Sequence, residues 1–248
     1  MTPEREPKGD GSSRRAFVTD VGRIASAVAL TVCMRPRTSQ ALAVVSGESM
    51  PSAGDWDLAW LDRLATATDR AVFDWPSLGD PADPIVLQIA ERYLDNCEAA
   101  YGAKRYEARV VLNIRTQAVP LALTDAAWHR RALGIEYSVK DPATGQPAVR
   151  NPVWRRAPGA STASTGSSPS AAPMSPTLEE LVQRGSIVLV CDFALGHLAK
   201  RLGATAGQEA DVVHRELRGS LVPGAVAVPS GIFGLARAQN AGCAYVRM

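Results

Sequence analysis

Cys191 is the residue of this chain best placed to do chemistry. It ends the apolar run Ser186-Ile187-Val188-Leu189-Val190-Cys191 and directly precedes a helical pattern carrying Leu195, Leu198, Ala199 and Leu202. Unpaired N–H groups and the positive dipole end at a helix start favour a thiolate there. Asp192 opposes this by like-charge repulsion, unless its carboxylate turns aside to cap the helix. Two readings of Cys191 therefore stand side by side: a catalytic nucleophile, or a small buried core residue, as free cysteines usually are. In an open parallel sheet, ligands bind in the crevice outside the carboxyl ends of the strands. Here those ends carry Asp74 and Trp75, Asn113 and Arg115, Cys191 and Asp192, and Pro229 and Ser230. Arg115 could receive an anionic ligand, or be a solvated surface arginine. Asp192 and Ser230 complete the ligand-binding set.

The remaining reactive residues give weaker patterns. Cys97 falls on the inner side of a helix, where core packing explains it. Cys243 opens the last strand, either as core or as half of a disulfide in an oxidising compartment. Four cysteines with no C-x-x-C pair, and three histidines without ligand spacing, argue against a metal centre. His197 follows Cys191 by six residues, which turns it away from the helix start and weakens a Cys–His nucleophile pair. No G-x-G-x-x-G or P-loop pattern supports nucleotide binding, and no cofactor is expected.

The elements that must position these residues alternate in type. Strands are expected at Arg70–Trp75, Ala108–Ile114, Ser186–Cys191, Gly224–Val228 and Cys243–Val246. Between them lie helical patterns. One starts at Asp83-Pro84, with Val86, Ile89, Ala90, Tyr93, Cys97 and Ala100 on its apolar face, and ends at Gly102. A weaker one spans Val119 to Leu133 around Trp128. Ser175-Pro176-Thr177-Leu178-Glu179-Glu180 is a capped start, and further helices follow Asp192, Glu209 and Ser230. In the last of these, Ile232, Leu235, Ala236 and Gln239 are the expected inner side. The order predicts an α/β protein, a three-layer αβα sandwich around a five-stranded, mostly parallel sheet. Trp56, Leu58, Leu61 and Leu64 suggest a short helix docked on this body, after a linker from residue 44. Residues 157–175, rich in Ala, Ser, Thr, Gly and Pro, read as a disordered insertion within a domain spanning 70–248.

The 248 residues are 46% hydrophobic and 21% charged, an ordinary globular composition. A net charge of +2 is too small for a dedicated nucleic-acid or membrane-surface binder. The first 43 residues hold seven Lys/Arg and four Asp/Glu, leaving 20 basic and 21 acidic residues beyond them. Those 43 residues read as an export signal: Ser13-Arg14-Arg15-Ala16-Phe17-Val18, an apolar run from Ile24 to Met34, and Ala41-Leu42-Ala43. The run is about 11 residues against the ~20 that cross a bilayer, so no stable membrane anchor is expected. Ser-Arg-Arg-x-Phe-Val resembles the twin-arginine consensus, which implies folding in the cytoplasm and a periplasmic location.

The C-terminal quarter resembles the DsrE/DsrF-like family. The carrying residues are Ile187–Cys191, then Leu221-Val222-Pro223-Gly224-Ala225-Val226-Ala227-Val228-Pro229-Ser230, the helix reaching Gln239, and Gly242-Cys243-Ala244-Tyr245. The likeness is good over 185–248, follows only the order of elements over 70–133, and is absent over 134–184. It implies the five-stranded parallel sandwich, often as a homo-oligomer. Some members carry sulfur as a cysteine persulfide at the position Cys191 matches. Asp192-Phe193, the insertion and the export signal depart from that sulfur-carrier pattern. Two functions follow as expectations: an exported protein handling thiol or persulfide sulfur through Cys191, or a non-catalytic ligand-binding or assembly module exported with a redox partner.

Overall fold

The computed structural model describes residues 56–102, 107–141, 144–155 and 175–248. The export signal expected over 1–43, the linker over 44–55, and nearly all of the low-complexity stretch lie outside these residues.

Five strands form one sheet: β1 (Asp69–Trp75), β2 (Ala108–Ile114), β3 (Ile187–Cys191), β4 (Ala225–Val228) and β5 (Ala244–Arg247). Their order across the sheet is β4-β3-β2-β1-β5, and every pairing is parallel. Parallel neighbours need crossovers, and those crossovers cover both faces. The three inner strands are accordingly near-continuous apolar runs. Alternation sorts each run between two cores. Phe73, Trp75, Leu112, Ile114, Val188 and Val190 pack with α2 (Ile85–Tyr101), α5 (Leu178–Gln183), α6 (Asp192–Ala206) and α7 (Ala210–Gly219). Val72, Val111, Ile187 and Leu189 face the opposite layer, made by α1 (Trp60–Ala65) and α8 (Gly231–Asn240).

Right-handed crossovers explain this division. The chain steps in one direction from β1 to β4, so the connecting helices share a face. It then reverses to place β5 outside β1, which sends α8 to the other face. The expected αβα sandwich is thus present, and its sheet is parallel throughout.

Several local expectations are corrected. The single helix over 119–133 is three short pieces: a 3₁₀ segment (Thr116–Ala122), α3 (Asp125–Arg130) and α4 (Leu133–Glu136). Pro120 lies inside the first piece, and Ala132 is left-handed at φ 47°, which breaks any continuous helix there. Helix α2 starts at Pro84 without a side-chain cap, so Asp83 is not its cap. In α1 the inner residues are Trp60 and Leu64, while Leu58 is exposed. Helix α8 is rotated from its expected phase. Ile232 is 76% exposed, and Gly231, Gly234 and Ala238 face the sheet instead.

Candidate functional site

The reversal in strand order defines a crevice. From β3 the chain leaves toward the α6 face, and from the neighbouring β4 it leaves toward α8. Adjacent strand ends whose helices diverge in this way form a topological switch point. Cys191 pairs with Val228 at that end of the sheet. The N–H of Phe193 donates to the carbonyl of Pro229 (3.3 Å), which ties the two helix starts together.

At the start of α8 the cap is Ser230, the residue where the sequence placed that helix start, whereas at α6 the cap is Cys191 rather than the expected Asp192. The Ala194 N–H donates to Cys191 Sγ at 3.4 Å, so the sulfur itself is the N-cap of α6. The Phe233 N–H donates to Ser230 Oγ at 3.1 Å at the start of α8. Sulfur accepts weakly as a thiol and strongly as a thiolate, and the helix dipole adds in the same sense. Cys191 is nonetheless only 5% exposed and joins the larger apolar core.

Asp192 does not cap α6, as the sequence left open. Its buried carboxylate points to α7, with Oδ1 3.1 Å from His214 Nε2 and 3.8 Å from Arg218 Nε. Arg218 in turn lies over the Trp56 ring, 4.8 Å from its centre. His197 packs edge-on against exposed Phe193, with ring centres 4.6 Å apart, and has no part in this cluster.

Arg115 is a buried-pair arginine rather than a free one. Its Nε and Nη2 donate to the two carboxylate oxygens of Asp74, both at 2.7 Å. Asn113 Nδ2 and the Tyr245 hydroxyl add bonds to the same carboxylate at 3.3 Å each. Burial alone would raise the Asp74 carboxyl, but Arg115, Asn113 and Tyr245 outweigh it and hold it below the ordinary value. The guanidinium stays charged, chiefly through its Asp74 bond. Gly231 makes room for it: a Cβ there would meet Arg115 Cβ at 2.6 Å and Cδ at 2.7 Å. Gly234 likewise clears Asn113 Oδ1, which a Cβ would approach to 2.9 Å. The glycines of α8 let the helix lie directly on this polar row.

Cys191, Arg115 and Ser230 are therefore brought to one end of the sheet, with Asp192 turned out of it. Sequence reasoning placed Asp74 at a strand end without a role. A carboxylate inside Ala-Val-Phe-Asp-Trp needs a partner, and Arg115 stands on the adjacent strand end. His214 and Arg218 were missed. Their signal was a four-residue spacing beside Val213 and Leu217, which stacks them on one helix side. The described cysteines 97, 191 and 243 are all unpaired, so Cys243 makes no disulfide among them. Burial pushes the Cys243 thiol to about 11, with Arg70 pulling slightly back. Cys97 is also raised, first by burial and then by the Asp69 charge. A separate small groove lies beyond β1, lined by Trp75, Leu78, Pro84, Val86 and Met248 among others. Among the described residues no cluster of His, Cys, Asp and Glu could hold a metal ion.

Fold and site together define a parallel αβα sandwich whose switch-point helix is capped by a cysteine sulfur. No family model matches the chain, and no curated protein matches it. Among solved structures, it is similar to a protein of unknown function, MTH1491, from Methanobacterium thermoautotrophicum. That likeness covers 73% of this chain and 99% of the other, at 14% identity and a TM-score of 0.36. The site is therefore read from this chain's own geometry.

Proposed function

We propose that this is an exported DsrE-like protein that handles thiol or persulfide sulfur through Cys191. The observation that carries the reading is the Ala194 N–H donated to Cys191 Sγ at the start of a 15-residue helix. A sulfur anion at that point gains a hydrogen bond and the helix field, with the Arg115 charge beside it. In the transfer, the Cys191 thiolate attacks the sulfane sulfur of a polysulfide or persulfide donor. A new S–S bond forms at Sγ, the donor's S–S bond breaks, and the donor leaves as a thiolate with the electron pair. No outside oxidant is consumed. Ser13–Val18 supports passage through the twin-arginine route and work in the periplasm.

Mass spectrometry after exposure to polysulfide tests the reading. Native protein should gain sulfur on Cys191 and not on Cys97 or Cys243, and Cys191→Ser should gain none. A native Cys191 that stays unmodified while a denatured control is modified would sink it.

The near-complete burial of Cys191 and the two-pronged engagement of Arg115 by Asp74 favour the second reading, a ligand-binding or assembly module exported with a redox partner. Under it, Cys191→Ser leaves the protein's activity in the cell intact.

A further inference from the structure

Asp192 presents a problem that the sulfur reading alone does not solve. It places a buried carboxylate one residue from the thiol, at a helix start whose field favours an anion. A first-turn carboxylate free to swing would do one of two things. It would take the Ala194 N–H that Cys191 Sγ now uses, or it would stand as a like charge beside the sulfur. Either outcome disfavours the thiolate.

The structure blocks both. Asp192 Oδ1 is held 3.1 Å from His214 Nε2, with Arg218 Nε 3.8 Å away, both on α7. His214 Nε2 can donate to the carboxylate whether the ring is neutral or charged. Arg218 itself lies over the Trp56 ring. Four residues separate His214 from Arg218, so both project from one side of α7 toward the start of α6. The Arg115–Asp74 pair and Arg247, which stands in register with Asp74, are further charged groups at this end of the sheet, and Ser230 contributes a hydroxyl.

We infer that His214 and Arg218 are positioning residues for Cys191: they hold the Asp192 carboxylate toward α7 and so keep its charge from the thiol. The inference rests on the reading of Cys191 as a reactive sulfur, and it assigns the control of that sulfur to α7.

The test follows thiolate absorbance near 240 nm against pH in the full chain, as the difference from the matching Cys191→Ser protein. This readout needs no reagent to reach the buried sulfur. In the double variant His214→Gln/Arg218→Gln, the thiolate should appear about one pH unit higher than in the parent, roughly tenfold less anion at a given pH below the midpoint. Adding Asp192→Asn should restore the parent curve, a rescue that a merely structural role for His214 and Arg218 would not give. An unchanged curve in the double variant, or a shift that survives Asp192→Asn, overturns the inference. If circular dichroism shows that the double variant does not fold, Arg218→Gln alone carries the test. It should give a smaller shift in the same direction, reversed by Arg218→Lys, and no shift overturns the inference. Failure of sulfur transfer from polysulfide with these shifts intact removes only the proposed function.

Discussion

Asp74 is a strand-end carboxylate that receives four hydrogen bonds, two of them from Arg115. Its folded carboxyl sits below the usual value, so the folded state holds it ionised more firmly than the unfolded chain does. The sign follows directly. The stabilisation is complete above the unfolded value of about 3.9 and disappears as pH falls through the lower folded value. Glu216 behaves likewise, lowered first by its Arg131 hydrogen bond and then by Arg130 against the cost of burial. Asp74→Asn should lose about 1–2 kcal/mol at neutral pH, by leaving Arg115 unpaired. It should also lose less stability than the parent between pH 5 and pH 3, values chosen to bracket that ~3.9. Denaturant midpoints across that range check this, and parallel curves for the two proteins would refute it. The Asp74–Arg115 pair was nearly legible in the sequence, because a lone carboxylate in an apolar run demands a cation. The sequence left the burial of Cys191 as one of two readings, and the structure shows it buried. Whether a strand-end thiol faces out or in depends on how closely the neighbouring helix approaches.

At the scale of elements, the approach of α8 to the sheet is set by glycine. Helix α8 lies on β2 and β3 through Gly231 and Gly234, where a larger residue would collide with Arg115 and Asn113. Sequence periodicity correctly gave a helix at 231–240 but turned its apolar residues inward. Leu235 does pack against the second core, but Ile232 is left exposed, because the side of the helix that lies on Arg115 and Asn113 has room for no side chain at all. Glycines have no hydrophobic signature, so the phase was not readable from the pattern. Gly231→Ala should cost about 1–3 kcal/mol through overpacking and loosen the Arg115 clamp on Asp74. Thermal melts would show the loss, and an unchanged melting temperature would mean that the helix shifts freely. By contrast, the capping box at Thr177 and Glu180 was fully legible, since its chemistry is local to four residues. The segment after β2 was misread for the opposite reason. Its apolar residues suit a helix, yet Pro120 and the left-handed Ala132 divide it.

For the whole molecule, alternation of strands and helices predicted the architecture because parallel sheets leave few topologies open. The lateral strand order was not predicted, since nothing local says that β5 passes back beside β1. That return is what separates the two cores and opens the divergence between α6 and α8. Among the described residues no helix is long and apolar enough to cross a membrane.

The pairing of β5 with β1 joins the latest-synthesised strand to the earliest. Ala71 to Asp74 find their partners only when Ala244 to Arg247 have left the ribosome. Until then the nascent protein carries an unguarded apolar margin along Val72 and Phe73. Completion of the sheet is thus a late event, since it awaits the last of the five strands.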